Sequence, residues 1–142
     1  MNTNDIKLVH VNEISSTLNL DKSLSEDVKK RMKIAFLFVL QYQDENPAFA
    51  LHSVVRVLLD DETLLEGGAT LVMESSAWNK MSHDEESVRN SDFATQLIAY
   101  ALPFVNGMLY VKTRNTPMDG MFLPMISPTE LKNTLRVEKV EK

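Results

Sequence analysis

The sequence predicts an α+β fold: a four-stranded antiparallel meander sheet, then a long proline-interrupted helix, an apolar loop and a short C-terminal helix. Three observations lead to this prediction. Apolar residues recur with the two-residue period of strands in the first half and with helical spacing after residue 92. Short polar turns separate the strand-like segments, and the helical segments follow all of them. A chain of 142 residues is one domain by length, and we expect residues 1–5 and 137–142 to be flexible.

Four segments carry the strand pattern, at residues 6–14, 32–43, 48–60 and 64–75. The second segment is apolar on both faces, which is typical of a strand that is covered on both sides. The fourth contains the adjacent pair Gly67 and Gly68, and glycines inside a strand predict a bulge or a kink.

The helical pattern follows Ser91 and Asp92, either of which can cap a helix N-terminus. Pro103 lies inside the pattern and should kink or break the helix, which resumes beyond it. Segment 118–131 contains three methionines but also two prolines, so it is predicted to be an apolar loop. Segment 128–137 is predicted to be a last short helix, and a charged tail follows it.

Composition excludes several classes of protein and points to the cytoplasm. A net charge of −5 with no basic cluster argues against nucleic-acid binding. The absence of cysteine excludes thiolate sites and disulfides. The polar N-terminus does not resemble a secretory signal, and the longest apolar run, at residues 34–40, is too short to cross a membrane.

No motif of catalysis or metal binding stands out. The three histidines, His10, His52 and His83, have no ligand at metal-binding spacing, and isolated surface or half-buried histidines are the simpler interpretation. The carboxylates at residues 60–62 fall where a hairpin must turn, which favours solvated turn residues. Nucleophile-elbow and phosphate-binding motifs are missing from the sequence. We therefore expect no enzyme activity, no cofactor and no metal.

The chain is rich in methionine, with eight residues of 142. Methionine side chains are adaptable, and proteins use them on surfaces that bind many partners. Two interpretations of the apolar segment 118–131 stay open. It either fills a gap between helices and sheet, or it forms part of a binding surface.

Several ordered features resemble the SecB family of export chaperones. The C-terminal half has the family's leucine-proline-aromatic helix element, a basic turn and a proline-containing apolar loop. Near the N-terminus, three residues match a short family element, and four strands with paired glycines in the last agree with its topology. The likeness spans about residues 6–131. The matching positions are Glu13 to Ser15, Leu102 to Phe104, Arg114 and Leu123 to Ser127.

The resemblance implies a cytoplasmic chaperone that holds unfolded polypeptides and assembles as a dimer or a dimer of dimers. Clients of this family lie along apolar grooves beneath the loop that connects the helices. By matching position, the implied groove residues are Phe104, Met108, Met118, Met121, Phe122, Leu123, Met125 and Ile126.

The resemblance also implies a contact with the translocase motor SecA on the exposed face of the sheet. Glu13 matches one position of that contact, and Leu64 and Glu66 match a second element. Thr17 stands where the family has a further acidic residue, so the acidic pattern is incomplete.

Three functional hypotheses follow. The first is a general chaperone for unfolded or partly folded polypeptides, with a possible role in protein export. The second is an interaction protein of the same fold that is dedicated to one client, such as an antitoxin. The third is an enzyme without a recognisable motif, which would use a cavity between sheet and helices.

Overall fold

The computed structural model describes residues 6–18, 31–60, 62–113 and 127–141. Its strands are β1 (Lys7–Leu18), β2 (Met32–Tyr42), β3 (Ala48–Leu59), β4 (Glu62–Glu74) and β5 (Leu135–Lys139). Its helices are α1 (Ser76–Asn79), α2 (Glu85–Arg89), α3 (Asp92–Thr113) and α4 (Pro128–Leu131), and a 3₁₀ turn at Lys132–Thr134 follows α4. The predicted α+β class, with strands first and the long helix after them, is confirmed.

The strand order is β1-β4-β3-β2-β5, which differs from the predicted meander. Strands β2, β3 and β4 are joined by short turns and pair in sequence, but β1 pairs antiparallel with β4 rather than with β2. A long connection between residues 18 and 32 separates β1 from β2, so no tight turn requires the two to pair. The four antiparallel strands therefore have a Greek-key order.

A fifth strand was missed. Residues 128–137 were predicted to be helical and residues 137–142 flexible, yet the helix ends at Leu131 and β5 begins at Leu135. Strand β5 runs parallel to β2, and its side chains alternate between the two faces of the sheet. Leu135 is fully buried, and this burial favours the strand over a longer helix.

One face of the sheet is covered by the helices, and the core lies between them. Strand β3 shows the pattern clearly, since every odd-numbered residue from 49 to 59 is buried. Helix α3 supplies the other side of this core, with Ser91 Oγ accepting a hydrogen bond from the Ala94 amide at its N-terminus, as predicted. The buried residues of α3 are Phe93, Ala94, Leu97, Ile98, Ala101, Val105 and Leu109.

Pro103 does not break the helix, because α3 is continuous over 22 residues with this proline inside it. A proline removes the hydrogen bond to the carbonyl four residues earlier, which here belongs to Ala99. Both Ala99 and Pro103 are exposed, so water can reach the helix where this hydrogen bond is missing.

The glycine pair of β4 coincides with an irregularity in the β1–β4 ladder, as the sequence suggested. The register shifts between Ile14 and Thr17, so the extra residue lies in β1, opposite the glycines. On the other side, Gly68 approaches β3 closely. A Cβ added to Gly68 would lie 1.9 Å from the carbonyl oxygen of Ser53.

An aromatic cluster closes one end of the core. Trp78 of α1 is 1% exposed and stacks on the His83 ring at a centroid distance of 3.8 Å. Its ring also lies near those of Tyr42, Phe49 and Phe93, at centroid distances of 5.3, 5.4 and 6.1 Å. Residues 79–92, which follow Trp78, are polar in sequence, and neither α1 nor this cluster was predicted.

Candidate functional site

A groove runs between helix α3 and the edge strand β1 on the covered side of the sheet. It encloses about 460 Å³. Within α3, the lining side chains recur three or four residues apart and therefore lie on one side of the helix. The residues that line this α3 groove are Glu13, Pro103, Phe104, Gly107, Met108 and Val111.

The lining of the α3 groove is apolar apart from one carboxylate. Phe104 and Met108 are half-buried, and Val111 is 66% exposed. The Phe104 ring packs beside that of Tyr100, with centroids 6.0 Å apart. A flexible methionine next to a supported aromatic ring offers a surface that adapts to apolar side chains of different shapes.

The register of β1 on β4 places Glu13 in this groove. Glu13 pairs with Ala69, and opposite residues of antiparallel strands point to the same face. Ala69 is fully buried under the helices, so Glu13 also lies on the covered face, at its margin. This position depends on strand pairing between distant segments, which explains why sequence reasoning did not place Glu13 beside Phe104 and Met108.

Two of the eight groove residues named from the sequence, Phe104 and Met108, lie together in the α3 groove. The other six fall outside the residues that the structure describes. These are Met118, Met121, Phe122, Leu123, Met125 and Ile126. They stay predictions.

The three residues assigned to a motor contact do not share one surface. Glu13 lines the α3 groove, and Leu64 is 1% exposed within the core. Glu66 lies on the opposite, open face of the sheet, where Arg56 Nε is 3.2 Å from its carboxylate. Leu64 is buried because the β3–β4 register shifts beside it, an irregularity without a clear signal in the sequence.

A row of polar side chains crosses the open face of the sheet from β4 to β5. Thr70 Oγ1 lies 2.7 Å from Nδ1 of His52, and His52 Nε2 donates to Oε1 of Gln41 over 2.7 Å. The Gln41 amide in turn donates to a carboxylate oxygen of Glu138 over 3.2 Å. This row ties the C-terminal strand to the middle of the sheet.

Burial lowers the pKa of His52, and the negative charge of Glu138 opposes that shift. The folded protein therefore prefers neutral His52, whereas the unfolded chain binds a proton at the ordinary pKa of about 6.5. Below that pH the unfolded state binds more protons, so we expect His52 to reduce stability as the pH falls.

The urea concentration at the midpoint of unfolding should decrease between pH 7.5 and pH 5, and this decrease should be larger in the wild type than in His52→Gln. Equal falls in the two proteins would contradict this assignment.

Metal-ligand side chains do not cluster in groups of three within the described residues. One helix of the described chain, at Asp92–Val111 of α3, has the length and apolar composition of a membrane span, with a mean hydropathy of 1.2. Core helices of globular proteins share that property, and the inner side of α3 packs against the sheet.

The fold resembles that of a solved chaperone. The SecB-like chaperone Rv1957 of Mycobacterium tuberculosis, in complex with a ChAD peptide from the HigA1 antitoxin, superposes with a TM-score of 0.54. The match covers 87% of this chain and 93% of that one. This chain has a SecB-like fold. The sequence identity between the two chains is 10%, so the comparison shows a shared fold and no more than that. No family model matches the sequence, and no curated protein does.

Proposed function

We propose that this protein is a cytoplasmic chaperone of SecB-like fold, which binds unfolded polypeptide segments in the α3 groove and works as a homo-oligomer. The observation that carries the proposal is the apolar, partly exposed lining of the groove, with Phe104 and Met108 at its centre. The SecB-like fold of the chain supports it. SecA is not part of the proposal, because Leu64 is buried and Glu13 faces the groove.

The size of the groove suits side chains of an extended segment better than a folded domain. An apolar side chain of a client that leaves water gains roughly 1.5–3 kcal/mol when it is fully buried. One groove of about 460 Å³ accommodates only a few such side chains. Binding of this kind depends on apolar content rather than on a particular sequence, and it needs neither nucleotide nor metal.

The first test is light scattering from a chemically unfolded protein as it aggregates after dilution. The wild type should suppress aggregation of several unrelated clients and should not bind the same clients in their native state. Failure with every client would contradict a general chaperone.

Charge placed in the groove should abolish this activity. Phe104→Asp and Met108→Asp each put a carboxylate where apolar client side chains would be buried, and an unpaired buried charge is strongly unfavourable. We expect at least a tenfold loss of client affinity, which corresponds to about 1.4 kcal/mol. Asn106→Asp is the matched control, because Asn106 is exposed on the same helix and does not line the groove.

Two results would count against the groove. Client binding that survives both groove substitutions would place the binding surface elsewhere. Equal loss in Asn106→Asp would indicate a general effect of charge on α3. The fluorescence of Trp78, which is the single tryptophan and is buried, reports whether each variant is folded.

A second candidate function is service to one dedicated client, such as an antitoxin. The observation that favours it is the solved SecB-like chaperone, whose complex contains an antitoxin peptide. Copurification of one stoichiometric protein that protects the α3 groove, together with no effect on unrelated unfolded chains, would select this function over the general one.

A further inference from the structure

Strand β5 forms one edge of the sheet, and its outer backbone groups are bonded by side chains of α2. Arg89 Nε donates to the Leu135 carbonyl over 2.6 Å. The Val137 amide donates to Oε1 of Glu85 over 3.1 Å. Among the described residues no further strand pairs with β5, so these two side chains occupy positions that a neighbouring strand would use.

These contacts lie on the outer side of β5. The Val140 amide donates to the Tyr42 carbonyl. The backbone N–H and C=O groups of even-numbered residues in β5 therefore point toward β2. Leu135 and Val137 are odd-numbered and point their backbone groups away from β2. The two side chains therefore bond the free edge of the sheet.

Helix α2 matches the spacing and the polarity of this edge. Residues four apart on a helix are about 6 Å apart along its axis, close to the roughly 6.6 Å between residues two apart on a strand. Arginine can only donate and an ionised glutamate can only accept, which fits the Leu135 carbonyl and the Val137 amide respectively. Arg89 and Glu85 also form an ion pair, in which Nη2 of Arg89 lies 3.7 Å from Oε2 of Glu85.

The position of α2 does not depend on these two hydrogen bonds alone. Val88 is fully buried in the core. Asp84 caps the helix by accepting from the Ser87 amide over 3.0 Å. Hydrogen bonds from the Ser82 hydroxyl and then from Ser87 lower the pKa of Asp84 to about 2, so the cap stays ionised at neutral pH.

We propose that the outer edge of β5 is a pairing edge for a second copy of this chain, and that Glu85 and Arg89 keep it closed. Two β5 strands arranged antiparallel about Val137 would place Arg136 of each copy opposite Glu138 of the other, so the charges are complementary. Val137 of the two copies would exchange both backbone hydrogen bonds. The proposal holds whichever client the α3 groove binds.

The test exchanges the two charges in Glu85→Arg/Arg89→Glu. This variant retains the ion pair on α2 but points a donor at the Val137 amide and an acceptor at the Leu135 carbonyl. Sedimentation should show an assembly larger than the wild type that grows with protein concentration. At low concentration, hydrogen exchange at the Val137 amide should accelerate roughly tenfold or more, because the lost bond was to a charged group. Exchange at Val140 should not change.

Two further variants separate edge pairing from loss of structure. Glu85→Gln retains an oxygen that accepts from the Val137 amide, so it should behave like the wild type. Val137→Pro, added to the exchanged variant, removes the outward amide and should restore the wild-type assembly size. An unchanged assembly size in the exchanged variant would overturn the proposal. So would growth that Val137→Pro does not reverse, or equal acceleration at Val137 and Val140.

Discussion

A Gly68→Ala variant should lose about 3 kcal/mol of unfolding free energy, at the upper end of overpacking effects. The added methyl carbon would lie 1.9 Å from the Ser53 carbonyl oxygen and 3.0 Å from the Val54 Cα. These neighbours are backbone atoms of β3, so no side-chain rotation relieves the contact. Strands β3 and β4 must separate where they pair at the middle of the sheet.

Urea unfolding measures this effect, and Gly107→Ala provides the matched control. A Cβ at Gly107 meets nothing within 4 Å, and the residue lies inside α3. Alanine is the better helix former by roughly 0.5–1 kcal/mol, so this variant should be slightly more stable than the wild type. If the two variants were equally stable, the close approach at Gly68 would be disproved.

Trp78→Ala should cost about 3–5 kcal/mol, the range found for large aromatic residues removed from a core. Trp78 is 1% exposed and contacts rings that come from three separate parts of the chain. A cavity at this position would also remove the stacked support of His83. Since small domains are stable by only about 5–15 kcal/mol, the variant would lose a large fraction of its stability.

Circular dichroism during urea unfolding measures this loss, because the substitution removes the fluorescent reporter. Asn79→Ala is the control on the same short helix, where Asn79 is exposed. It should stay within about 0.5 kcal/mol of the wild type. A Trp78→Ala variant as stable as Asn79→Ala would show that the aromatic cluster is not essential to the fold.

Local patterns were sufficient to predict the four antiparallel strands and the long helix. Alternating apolar residues located β2, β3 and β4, because each buries one face of the sheet and the burial repeats every second residue. The cap at Ser91 is also a local signal, since its hydroxyl bonds an amide three residues later. The break that the sequence allowed at Pro103 did not occur, since α3 continues through this residue over 22 residues.

Features that depend on distant pairing were not predictable in this way. Which strand lies beside β1 is decided by contacts between residues 47 to 67 positions apart. Strand β5 is five residues long and three of them are charged. Its sequence pattern is therefore the same as that expected of a charged, frayed chain end. Its identity depends on burial of Leu135 and on bonds from α2, which no short window of sequence reveals.

In the candidate site too, some residues could be predicted from local sequence and others only from strand pairing. Phe104 and Met108 were recognised through resemblance and through their apolar character, and the structure places both in the α3 groove. The presence of Glu13 beside them required the β1–β4 register, and the burial of Leu64 required the irregularity in β4. A sequence specifies such neighbours only through the completed sheet.

The position of β5 has a consequence for synthesis on the ribosome. Gln41 of β2 and its β5 partner Glu138 are 97 residues apart. At translation rates of about 5–20 residues per second, β2 emerges several seconds before the strand that covers its outer edge. The hairpins of β2, β3 and β4 can form during that interval, whereas closure of the β2 edge must wait until β5 at Leu135–Lys139 has emerged. The nascent protein thus passes through a stage in which it has an open strand edge of its own and is itself a potential client of chaperones.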